Sequence, residues 1–143
     1  MNPKQFLQIG GAVLILVGIL GFMGVIGPTS GDSIFGSTWW FDNPENAAHL
    51  VLGLVGLIAA YVLPAPGQKW LVLLLGVIGV PIGIYSVFRS DFLGANLENP
   101  ADTLLHLAVG AWALWASLRS SGMPMMGSSV PGGAPPVMPK NRV

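Results

Sequence analysis

Phe6 to Ile26 reads FLQIGGAVLILVGILGFMGVI and contains no charged residue. A helix needs about 20 mostly apolar residues, with roughly 17 to 25 tolerated, to cross the hydrocarbon of a bilayer. No segment of the chain alternates apolar and polar residues with period two, so a strand reading fails. With no water in the bilayer core, the backbone must bond within its own segment, and a helix follows. Lys4 ahead of the apolar run gives it the look of a signal peptide. The run is longer than a signal core and lacks a small-x-small cleavage site, so it is expected to stay.

The rest of the 143 residues extends this reading. Further spans are predicted at about 44–63, 70–88 and 100–118, the second ending at Pro64 and Pro66. The second and fourth are long enough only if their polar first turns, opening at Pro44 and Pro100, are included. Hydrophobic residues make up 52% and charged residues 8%, against roughly 25% charged in a soluble domain. So few charges cannot cover a water-facing surface, and lipid is the expected solvent. Net charge is zero, which argues against nucleic acid as a partner. The absence of cysteine removes disulfides, thiolate metal sites and Cys nucleophiles.

Charge sets a direction. Lys4, Lys69, Arg119, Lys140 and Arg142 fall on one side of the predicted spans, and Arg89 alone on the other. The positive-inside rule then places both termini in the cytoplasm. Asp32, Asp42, Glu45, Asp91, Glu98 and Asp102 all lie in or beside the opposite loops, giving an acidic outer face.

The two halves resemble each other. Asn43-Pro44-Glu45-Asn46-Ala47-Ala48-His49-Leu50 opens the second span, with Gly53 following; Asn99-Pro100-Ala101-Asp102-Thr103-Leu104-Leu105-His106-Leu107 opens the fourth, with Gly110 following. Counted from each His, an acid stands at −4, a polar residue at −3, Leu at +1 and Gly at +4. Asn43 and Asn99 are read as helix N-caps, with Pro44 and Pro100 at the first helical position. The acids favour the positive ends of the helix dipoles, and the glycines permit close helix approach. The expected fold is all-α: a polytopic membrane four-helix bundle built from a parallel tandem repeat of two-helix hairpins, over residues 1–119. Residues 120–143, rich in Pro, Gly and Ser, are expected to form a cytoplasmic tail that is disordered or held by a partner.

His49 and His106 are what these local reasons leave over. Residues four apart share a helix face, so Glu45 is expected to reach His49, and Asp102 to reach His106. Ionisable groups at membrane depth usually face the bundle interior or a wet cavity. Three uses are open beside a purely structural one: holding a divalent metal, ligating haem or a chlorophyll-type pigment, or taking up protons. An acid at −4 crowds a macrocycle there, although Trp112 and Trp115 fit a pigment neighbourhood. In the first outer loop Trp39, Trp40 and Phe41 are read as an interfacial aromatic belt, or alternatively as a partner-binding patch. Glycines at 18, 21, 24 and 27 and at 76, 79 and 83 are read as packing seams, and Pro81 as a bend in the third span. No catalytic motif is present.

The Asn-Pro, acid, His-Leu and Gly pattern resembles that of a bacterial family of small four-span membrane proteins of unknown function. The resemblance covers roughly Phe6 to Leu118 and rests mainly on Asp102, Thr103, His106, Leu107 and Gly110; the family favours Asn where Thr103 stands. It implies a small four-span membrane fold, and the expected location is a bacterial inner or photosynthetic membrane. The function expected is that of a non-enzymatic accessory subunit of a larger membrane complex. The alternatives are a His-based metal, haem or pigment binder in a photosynthetic or electron-transfer complex, and a small proton-linked transporter.

Overall fold

The computed structural model describes residues 1–119; the predicted tail, with Lys140 and Arg142, lies outside the described residues. Four helices, α1 (Pro3–Phe22), α2 (Asn43–Val62), α3 (Ala65–Ser86) and α4 (Ala101–Arg119), account for nearly all the regular structure. All four are long and apolar enough to cross a membrane.

Local chemistry decides where each helix starts and stops. Asn2 and Gln5 form a reciprocal capping box, Gln5 N–H to Asn2 Oδ1 at 2.9 Å and Asn2 N–H to Gln5 Oε1 at 3.1 Å, with Pro3 inside the first turn. α1 therefore begins before the apolar run. It ends at Phe22 rather than Ile26, because the chain turns away through Gly24 at φ +77°.

The cap of α2 is Asp42 and not Asn43. The Asp42 carboxylate accepts the Glu45 N–H at 2.8 Å, and Asn43 and Pro44 are already helical. A carboxylate there adds a dipole interaction that an amide lacks. Asn99 does not cap α4 either: Pro100 precedes the first helical residue, Ala101, and the Asp102 carboxylate reaches back to the Glu98 N–H at 2.7 Å.

Pro64 and Pro66 open α3 as much as they close α2. Pro64 is the N-cap residue, Pro66 lies in the first turn, and α3 starts five residues earlier than the apolar run. Gln68 ties the two helices by donating from Nε2 to the carbonyls of Ala60 (3.0 Å) and Leu63 (2.9 Å). α3 runs through Pro81, which is exposed.

α1 packs mainly on α2 and α3 mainly on α4, with lighter contacts from α1 to α3 and α4. Backbones meet at glycines. A Cβ on Gly53 would come within 2.7 Å of the Gly11 carbonyl oxygen, and one on Gly110 within 2.8 Å of the Val80 nitrogen. Away from the long loops the core is Phe6, Leu7, Ala59, Ala60, Val72, Ala113 and Ala116, with Phe6 edge-on to Trp112 at 4.6 Å. Leu16, Ile58, Trp70, Leu104 and Leu118 point outward, each more than half exposed. That is the pattern of helices solvated by lipid.

Between α3 and α4 the chain forms a small hairpin, β1 (Asp91–Phe92) and β2 (Ala95–Asn96), turned by Leu93 (φ +54°) and Gly94 (φ +84°). Two consecutive positive φ values are what a tight two-residue hairpin requires. Strands this short leave no alternation to detect in sequence.

Candidate functional site

The long loops, 23–42 and 87–100, lie at one end of the bundle and bring four acids together. The first loop folds back on itself through Ile34 N–H to the Val25 carbonyl (2.9 Å), Phe41 N–H to the Ile26 carbonyl (2.8 Å) and Ser33 Oγ–H to the Trp39 carbonyl (2.7 Å). This aims the Trp39 indole at the other hairpin, where its Nε1–H donates to Asp102 Oδ1 at 3.0 Å. In return, Asn96 N–H of the second loop donates to Asp42 Oδ2 at 2.8 Å. The acid near the start of each hairpin's second helix thus binds the loop of the other hairpin.

Glu45 lies beneath this stitching and is 4% exposed, yet neither carboxylate oxygen has a hydrogen-bond partner. Glu98 receives the Asn96 side-chain amide on Oε1, while its buried Oε2 is also unpartnered. One ligating oxygen from each of Glu45, Glu98 and Asp102 lies within 4.8 Å of the others. Burial, then the neighbouring Asp102 charge, pushes the Glu98 carboxyl up to about 7.

The expected carboxylate-to-imidazole pairs do not form. His106 Nδ1 lies 2.8 Å from the Asp102 backbone carbonyl, not its carboxylate. A carbonyl only accepts, so Nδ1 is the donor, which in a neutral ring leaves Nε2 as the acceptor. His49 Nδ1 is buried without a partner, and its ring meets Phe41 edge-on at 4.8 Å. The acids are drawn toward the loops and toward each other. The two histidines instead line one cleft of about 230 Å³ between the hairpins. Leu14, Leu75 and Trp112 add to its apolar wall, and exposed Leu52 and Val109 stand at its edge.

Of the proposed aromatic patch, Phe41 is fully buried and Trp39 and Trp40 are half-buried, with Trp39 committed to Asp102. The exposed apolar residues at this end are others, Ile34, Phe88 and Leu93 among them. The structure thus unites Glu45 with Asp102 and His49 with His106, but as two layers one helical turn apart. Asp42 and Glu98 were missed as functional residues. A signal for both was present, because an acid directly precedes Asn-Pro in each half, Asp42-Asn43-Pro44 and Glu98-Asn99-Pro100.

The chain matches no protein-family model, no curated protein and no solved structure.

Proposed function

We propose that this chain is a non-enzymatic, multi-pass membrane protein that binds a small, largely apolar molecule between two tandem hairpins. The observation that carries the reading is the shared cleft: two imidazoles on an otherwise apolar wall lined by all four helices. Binding sites of this kind combine a hydrophobic lining with a few placed polar groups. The His106 Nε2 lone pair suits a ligand whose polar end is a proton donor, such as a phenolic or quinol hydroxyl. About 230 Å³ is below the roughly 300–1,000 Å³ of pockets that enclose drug-sized ligands, so a haem or chlorophyll macrocycle fits poorly.

Two further points support the architecture behind this reading. The residues three before and four after each His play matching parts. Asn46 lies against Gly21 of α1 and Thr103 bonds Ser86 of α3 at 2.6 Å, while Gly53 meets Gly11 and Gly110 meets Gly79. That favours a parallel duplication of one hairpin and agrees with the resemblance to small bacterial four-span proteins. The charge distribution favours cytoplasmic termini, with the cleft's histidines toward the outer side.

The test uses the full-length protein in detergent, titrated with an alkylphenol and with its methyl ether, read by quenching of Trp112. The phenol is expected to bind about ten-fold or more tighter than the ether. His106→Leu is expected to erase that difference, and Trp112→Phe to remove the signal. Equal binding of phenol and ether, or binding of neither, overturns the reading.

A second reading, an accessory subunit of a larger membrane complex, is favoured by the loop end. Leu93 is 90% exposed and Phe88 77% exposed there, outside the helices that lipid would cover. Replacing both with Ser is expected to release the chain from a co-purifying partner without altering its thermal stability.

A further inference from the structure

We infer that Glu45, Glu98 and Asp102 form a binding site for a hard divalent cation that joins the two hairpins at the loop end. The argument is independent of the cleft and of what the cleft binds.

Carboxylate clusters are common at helix starts, where the dipole and orphan N–H groups favour negative charge. Asp42 is fully explained in that way, since both its oxygens accept backbone N–H groups. Glu45 is not. It sits in the first turn of α2, 4% exposed, and uses neither oxygen for capping or for any other hydrogen bond. A buried carboxylate is tolerated when it is paired or coordinates a metal. The cations Lys4, Lys69 and Arg119 belong to the opposite ends of their helices, and Arg89, the one described cation at the loop end, is exposed rather than buried beside Glu45.

The oxygens facing Glu45 fit coordination. Glu98 Oε2 is likewise buried and unpartnered. Asp102 Oδ1 and Oδ2 each accept one hydrogen bond, from Trp39 and from the Glu98 backbone, and each keeps a second lone pair. One oxygen from each of the three residues lies within 4.8 Å of the others. Oxygens no farther apart than that can all reach one ion at the metal–oxygen distances of magnesium or calcium, about 2.0–2.6 Å. An all-oxygen, carboxylate-rich set selects hard cations over zinc or copper. The three ligands come from α2, from the loop after β2 and from α4, so a bound ion would clamp both hairpins together.

The test titrates the full-length protein in nanodiscs with Ca²⁺, Mg²⁺ and Mn²⁺ by calorimetry, with Zn²⁺ as the comparison. Trp-sensitised Tb³⁺ emission provides a second readout, since the Trp39 indole donates directly to Asp102. One ion per chain, a cation-dependent rise in Tm and Ca²⁺-displaceable Tb³⁺ emission are expected. Glu45→Gln is expected to lower affinity about 100-fold and Glu98→Gln at least ten-fold, on the scale of losses at metal sites. Asp91→Asn, on the exposed hairpin, is expected to change nothing. Glu98 is a loop residue, so its variant remains informative if Glu45→Gln fails to fold. The inference is overturned if none of the three cations binds. It is equally overturned if both Gln variants keep wild-type affinity, or if Zn²⁺ binds tighter than all three through His49 or His106.

Discussion

Trp39 and Asp102 are 63 residues apart in sequence and meet through one hydrogen bond, so each hairpin's loop is held by a residue of the other. Hydrogen bonds to charged partners contribute about 1.5–3 kcal/mol. Trp39→Phe is expected to lose about that much, measured by denaturant or thermal unfolding in detergent. Asp102→Asn should cost less in the Trp39→Phe background than in the wild type, because the shared bond is already gone. An additive double mutant would show that the indole and the carboxylate act separately. Phe41, fully buried between the Trp39 and His49 rings, is the other residue on which this cap depends. Phe41→Ala is expected to cost about 3–5 kcal/mol.

Each helical hairpin is a close-packed pair whose seam leaves no room for an added atom at its tightest glycines, Gly53 and Gly110 among them. Gly53→Ala would push a methyl group to 2.7 Å from the Gly11 carbonyl oxygen, and overpacking of this kind costs about 1–3 kcal/mol. Gly31→Ala, whose new Cβ would have 3.7 Å of clearance from Thr29 Oγ1, should stay within about 0.5 kcal/mol of wild type. A Tm series over the two variants checks the contrast. The contacts between hairpins are lighter than those within them, and this leaves room for the cleft between them.

The described residues present apolar helix faces, with the acids and Arg89 at the loop end and Lys4, Lys69 and Arg119 at the other. Orientation is testable because the chain has no cysteine of its own. Ser37 and Pro66 are exposed and lie at opposite ends of the bundle. A membrane-impermeant maleimide should label Ser37→Cys on intact cells and Pro66→Cys only after lysis; the reverse pattern would refute cytoplasmic termini.

Helix number, helix class and the lipid-facing character of the surface were all legible in the residues, since each depends on local composition and length. The helix ends were less so. Asp42 replaces Asn43 as a cap, and α1 stops at Phe22, because capping depends on which side chain the turn happens to aim at an orphan N–H. The His and acid positions were also legible, but their partners were not. Four-residue spacing made Glu45 and His49 neighbours on α2, yet the structure separates acids from imidazoles into two layers. Periodicity constrains only what one helix can offer on one face. How the second hairpin sits against the first determines which groups from distant segments share a pocket, and that depends on packing summed over the whole bundle.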